Sequence, residues 1–126
     1  MKERHDLVQS LLRKADSDIL AAEATLNAGA LDATAFHAQQ AAEKLLKAYL
    51  TSVDIDYPFT HNLARLVELC ARENTDFDVL RPIVEILIPY AVELRYDGDF
   101  WPDKATAEEA LSLAHQVKDF VMARLA

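Results

Sequence analysis

Turn chemistry is scarce in this chain. Two glycines and four prolines serve 126 residues, whereas a many-stranded sandwich or barrel needs a turn every eight to twelve residues or so. The shortage points to an all-α fold. A chain of this length falls within the roughly 100 to 200 residues of one ordinary domain, so residues 1–126 are expected to share one core. Hydrophobic residues at 52% and charged residues at 27% match a globular average and argue against long disordered tails.

Charge and cysteine narrow the function classes. Thirteen basic against 21 acidic side chains leave a net charge of -8, which removes the footprint of a DNA-coating protein but not a small basic groove. Much of the excess lies in residues 53 to 103, with eleven acidic and four basic side chains. The single Cys70 rules out an intramolecular disulfide and a multi-thiolate zinc site, so a reducing cytoplasm is expected. No stretch approaches the eighteen or so apolar residues of a membrane span, and Met1-Lys-Glu-Arg-His-Asp6 is too charged to open a signal peptide.

Periodicity places the helices. Leu7, Leu11, Ala15, Ile19, Ala22 and Leu26 recur at steps of three and four, predicting a long helix that ends near Asn27 before Gly29. Leu31 to Ser52 reads as an alanine-rich helix with Ala35, Ala38, Ala42, Leu45 and Tyr49 as its apolar stripe, antiparallel to the first. Pro58 breaks the pattern, and Thr60 is placed to cap a short third helix carrying Leu63, Leu66, Val67 and Cys70. Residues 79–94 are apolar on several faces and read as the most central helix, kinked at Pro89. Thr106-Ala-Glu-Glu109 has the form of a capping box opening the last helix.

Candidate chemistry is sparse. His37, Gln40, Lys44 and Lys47 share one helix face, which reads either as a solvated stripe or as the lining of a phosphate groove. Glu43 and Lys47 at i, i+4 fit plain helix support. His61 sits at the start of the third helix, where outward backbone amides receive an anion. No two histidines lie within five residues, so no metal spacing exists and no cofactor is called for. Asp97, Asp99, Asp103 and Glu108 echo a calcium loop only loosely, because Trp101 and Pro102 occupy positions that such a loop needs for a polar ligand and a glycine. The guanidinium of Arg95, beside Tyr96, is costly to bury alone; it pairs with Glu43, Glu93 or Asp99, or it awaits a phosphate.

The order Phe36-His-Ala-Gln-Gln-Ala-Ala-Glu-Lys-Leu-Leu-Lys-Ala48, Thr60-His-Asn-Leu63, Pro89-Tyr-Ala-Val-Glu-Leu-Arg-Tyr-Asp-Gly-Asp99 and an alanine-rich last helix resembles the HEPN domain of prokaryotes over nearly the whole chain. The resemblance implies an up-and-down bundle of four long helices plus one short helix, commonly a homodimer and often paired with a minimal nucleotidyltransferase in a toxin–antitoxin or defence module. Ribonuclease members carry an arginine followed four to six residues later by a histidine. Arg95 matches the arginine, but residues 96 to 103 contain no histidine and the next is His115; the form is closer to an Arg-Tyr-Pro-Gly or Arg-Tyr-Pro-Asp variant, with Asp97 at the proline position. The leading expectation is therefore a nucleotide- or nucleic-acid-associated partner of a nucleotidyltransferase, without efficient catalysis. In it Lys44 and Arg95 hold a phosphate, His61 donates to it, and Tyr96 stacks on a base or receives a nucleotide. Two alternatives stand beside it: a metal-independent endoribonuclease using Arg95 with His61 or His37, and a structural dimerisation adaptor.

Overall fold

A left-handed residue ends the first helix. α1 (Lys2–Ala28) stops at Gly29, whose φ of +82° is open to glycine at little cost, and α2 (Leu31–Ser52) runs back antiparallel to it. The computed structural model describes residues 2–91 and 96–125, all helix, turn or loop. Thr25 and Thr34 hydroxyls meet at 2.9 Å near the hairpin turn, and Arg4 pairs with Asp54 at the opposite end. α3 (Leu63–Glu73) leads into a 3-10 segment (Thr75–Leu80), α4 (Arg81–Leu87) and a second 3-10 turn (Ile88–Tyr90). α5 (Lys104–Arg124) returns antiparallel to α1, with Lys118 on Asp16 at 2.8 Å and His115 facing Glu23 at 3.7 Å. The all-α fold expected from the scarcity of turns is present.

The core centres on α2. Ala35, Ala38, Ala41, Ala42, Leu46, Ala48 and Leu50 are completely buried, because small side chains let α1 and α5 approach closely on either side. Over its described residues, 79–91, the segment expected to be most central is not the most central element. Leu80, Val84 and Leu87 are buried, yet Val79 and Ile86 on the other face are exposed, so this segment packs by a single stripe. Instead of the kink expected at Pro89 within a longer helix, the α-helix ends at Leu87 and the chain tightens into a 3-10 turn. On α1 the inward stripe runs through Val8, Leu12, Ala15, Ile19 and Ala22, leaving Leu7 exposed. Cys70 is wholly buried, and burial pushes its thiol up to about 12, the behaviour of an inert core residue.

Both expected caps shift. Asn62, not Thr60, caps α3: its side-chain oxygen accepts from the amides of Ala64 (3.0 Å) and Arg65 (3.4 Å), while Thr60 Oγ1 accepts from Asn62 N. α5 starts at Lys104, so Thr106 lies inside its first turn and Asp103 is the cap, accepting from the Thr106 amide at 2.8 Å. These hydrogen bonds, the backbone one first, hold the Asp103 carboxyl below its ordinary value. A depressed folded pKa gives stabilisation that is full above the unfolded value, ~3.9, and lost as pH falls through the lower folded value. Asp103→Asn keeps an acceptor and removes the titration. The stability gap between wild type and this variant is expected to be constant from neutral pH down to about pH 4 and to shrink below it, as read from urea melts across that range.

Candidate functional site

Gln39, Glu43 and Lys47 are spaced four residues apart along α2, so their side chains form one line on the helix. The loop over residues 53–62 crosses that line and brings Tyr57, Phe59 and His61 to it. Glu43 is the pivot: a carboxylate only 5% exposed, it receives His61 Nδ1 at 2.9 Å, Lys47 Nζ at 3.0 Å and Gln39 Nε2 at 3.3 Å. Gln39 Nε2 also donates to the backbone carbonyl of His61 at 3.2 Å, and Gln40 donates to Gln39 Oε1 at 2.7 Å. A buried carboxylate is stable only when its lone pairs are filled this way.

The geometry assigns the imidazole tautomer. An ionised carboxylate only accepts, so His61 Nδ1 carries the proton and Nε2 is the nitrogen left for other chemistry. The His61 side chain is 48% exposed. Beside it, the Lys47 ammonium stands 5.7 Å from the Tyr57 ring centroid and 5.9 Å from that of Phe59, within cation–π range. Phe59 is 97% exposed and meets the His61 ring edge-on at 6.1 Å. The cluster thus joins a cation, an oriented imidazole and an aromatic platform, the parts that hold a phosphate and stack a base.

Lys44 belongs to a different cluster. Its ammonium bonds Asp18 of α1, whose other oxygen takes His37 Nδ1 at 2.9 Å. Lys44 and His37 therefore tie α1 to α2, and Lys47 is the lysine that shares a carboxylate with His61. The stripe of His37, Gln40, Lys44 and Lys47 is neither fully solvated nor one groove, since His37 and Lys44 bond Asp18, Lys47 bonds Glu43 and Gln40 bonds Gln39. Tyr96 is exposed in the loop before α5. Arg95 and Glu93 lie outside the described residues. Asp97 closes an Asx turn by accepting from the Asp99 amide at 2.9 Å. Among the described residues no three His, Cys, Asp or Glu side chains gather as metal donors, and no helix is long and apolar enough to cross a membrane.

Sequence reasoning placed His61 but missed its setting. Glu43 read as helix support and Phe59 as loop; the signal available was the i, i+4, i+8 run Gln39, Glu43, Lys47, whose middle acid faces inward.

Comparison with known proteins agrees with this architecture. Residues 8–125 match the model of the HEPN domain. The crystal structure of an archaeal HEPN homologue superposes with a TM-score of 0.76, at 19% identity, covering 94% of this chain and 98% of that one. No curated protein matches the sequence.

Proposed function

The chain belongs to the HEPN family, and from that premise we propose that it is a nucleotide- or nucleic-acid-associated protein, the partner of a minimal nucleotidyltransferase in a toxin–antitoxin or defence-type module. It works in the cytoplasm as a homodimer, and RNA cleavage is not its efficient activity. One observation carries the binding reading: Lys47 and His61 stand on the buried Glu43 carboxylate, directly beside the fully exposed ring of Phe59. A water-exposed phenylalanine flanked by a lysine and a histidine offers a base its stacking surface and a phosphate its donors. Arg95, the residue that matches the family arginine, adds a second cation in this reading, and Tyr96 adjoins it in sequence. The Lys44 role in phosphate binding passes to Lys47, because Lys47 stands beside Phe59 and shares Glu43 with His61, whereas Lys44 turns to Asp18 of α1.

Titration with a fluorescent ATP analogue tests the reading. Base–aromatic stacking contributes about 1 to 3 kcal/mol, so Phe59→Ala is expected to weaken binding about tenfold. Lys47→Gln is expected to weaken it comparably and to flatten its salt dependence. Unchanged affinity in both variants sinks the proposal.

The endoribonuclease reading rests on its own observation. A carboxylate on Nδ1 with Nε2 turned away is the arrangement of a general base. Incubating bulk cellular RNA with the pure protein in EDTA decides between the two. Cleavage that disappears in His61→Ala and Arg95→Ala establishes the nuclease; intact RNA leaves binding as the function.

A further inference from the structure

A cleft of about 400 Å³ opens where the start of α1, the end of α2 and the end of α5 converge, away from Glu43 and His61. Its volume falls in the range of small-molecule sites. Among the described residues its lining carries Arg4, His5 and Arg124 and not one carboxylate, in a chain with 21 acidic side chains and a net charge of -8. The remaining wall is largely apolar, with Val8, Leu12 and Leu125 among its members.

Neither arginine is fully engaged by the protein. Arg4 meets Asp54 at 3.3 Å, and Arg124 meets Asp76 at 3.5 Å; both acids are mostly exposed, so these pairs are weak and screened. Arg124 also donates Nη1 to the Phe120 carbonyl at 3.1 Å and lies 3.5 Å over the Phe120 ring, which fixes its plane. Among the described residues its Nε is buried without a hydrogen-bond partner, an arrangement that is costly in a native fold and that asks for an explanation. A guanidinium has five donors in a rigid fork suited to a carboxylate or phosphate, and Arg124 spends few of them within the chain.

We propose that this cleft is a binding site for a small amphipathic organic anion, whose carboxylate or phosphate is held between Arg4 and Arg124 while its apolar body lies against Val8, Leu12 and Leu125. The two arginines lie near opposite ends of the sequence, so an occupant bridges α1 to α5 and stiffens that end of the bundle.

Octanoate is the probe, titrated into the full chain by calorimetry and by amide chemical shifts, with octan-1-ol and inorganic phosphate as comparators. Saturable octanoate binding is expected, with shifts at residues 4–12 and 121–125. Arg4→Gln and Arg124→Gln are each expected to weaken it about tenfold, the loss that follows removal of a charge-assisted hydrogen bond. Lys47→Gln, in the other cluster, leaves it unchanged, so failure here and failure of the nucleotide site are separable. The proposal is overturned if folded wild type shows no saturable binding, if both arginine variants bind like wild type, or if octan-1-ol binds as tightly as octanoate. Phosphate binding as tightly as octanoate removes the apolar half of the assignment. Should loss of the Phe120 contact unfold Arg124→Gln, Arg4→Gln and the charge-reversed Arg4→Glu decide the matter.

Discussion

Replacing Phe77 with alanine is expected to lower the stability of the fold by about 4 kcal/mol, the cost of deleting a fully buried phenyl ring and leaving a cavity. Phe77 is completely buried in the 3-10 segment after α3. Its ring packs on Tyr49 of α2 at 4.4 Å and on Phe120 of α5 at 5.0 Å, the latter edge-on. It therefore wedges a short, irregular segment into the gap between two long helices. Aromatic pairs add about 0.5 to 1.5 kcal/mol beyond burial, and the Phe120 ring also carries the Arg124 guanidinium. Urea denaturation followed by circular dichroism checks the result: the midpoint falls while the slope is unchanged. A loss under about 1 kcal/mol would mean that the neighbours close the cavity. Phe77→Leu, which retains most of the volume, is expected to cost less than half as much.

The second large effect is at Glu43. Glu43→Ala is expected to cost about 3 kcal/mol at neutral pH, in the range seen when one partner of a buried ion pair is removed. Lys47, only 13% exposed, then keeps its charge without its carboxylate, and Gln39 loses an acceptor. For a domain whose total stability is on the order of 5 to 15 kcal/mol, this is a substantial fraction. Glu43→Gln retains an acceptor and is expected to cost less. Both variants should release His61 from its fixed tautomer, visible as loss of the Nδ1–H signature in nitrogen NMR, and should speed amide exchange in residues 53–62. Pairing Glu43→Gln with Lys47→Met in a double-mutant cycle separates the ion pair from the rest of the network. A cycle with no coupling would show that Lys47 reaches water instead of Glu43.

The expectations that fared well rest on local chemistry. The bounds of α2 and the stop at Gly29 follow from backbone rules that act over a few residues. The caps came out two and three positions away because several residues near each helix start could accept a hydrogen bond, and the choice depends on where the chain enters the bundle. Asp103 won over Thr106 because the helix begins earlier than its apolar stripe. The apolar run at 79–94 misled for a related reason: composition reports how much surface wants burial, but not whether a neighbour covers it. Val79 and Ile86 remain uncovered in the single chain.

The candidate site shows the same division more sharply. Its ingredients, a histidine before α3 and lysines along α2, are visible in one dimension, and the HEPN resemblance rests on their order. Which lysine goes with which acid is not visible. Lys44 and Lys47 are three residues apart on one helix, yet one turns to Asp18 of α1 and the other to Glu43. By itself the sequence determined the helical class, the run of α2 and the family, because helix periodicity and turn chemistry are short-range. Only the tertiary structure decided that Glu43 is the pivot, that His61 presents Nε2, and that Arg4 and Arg124 line one cleft. Buried charges choose partners by distance in space, and that distance exists only once the helices have packed.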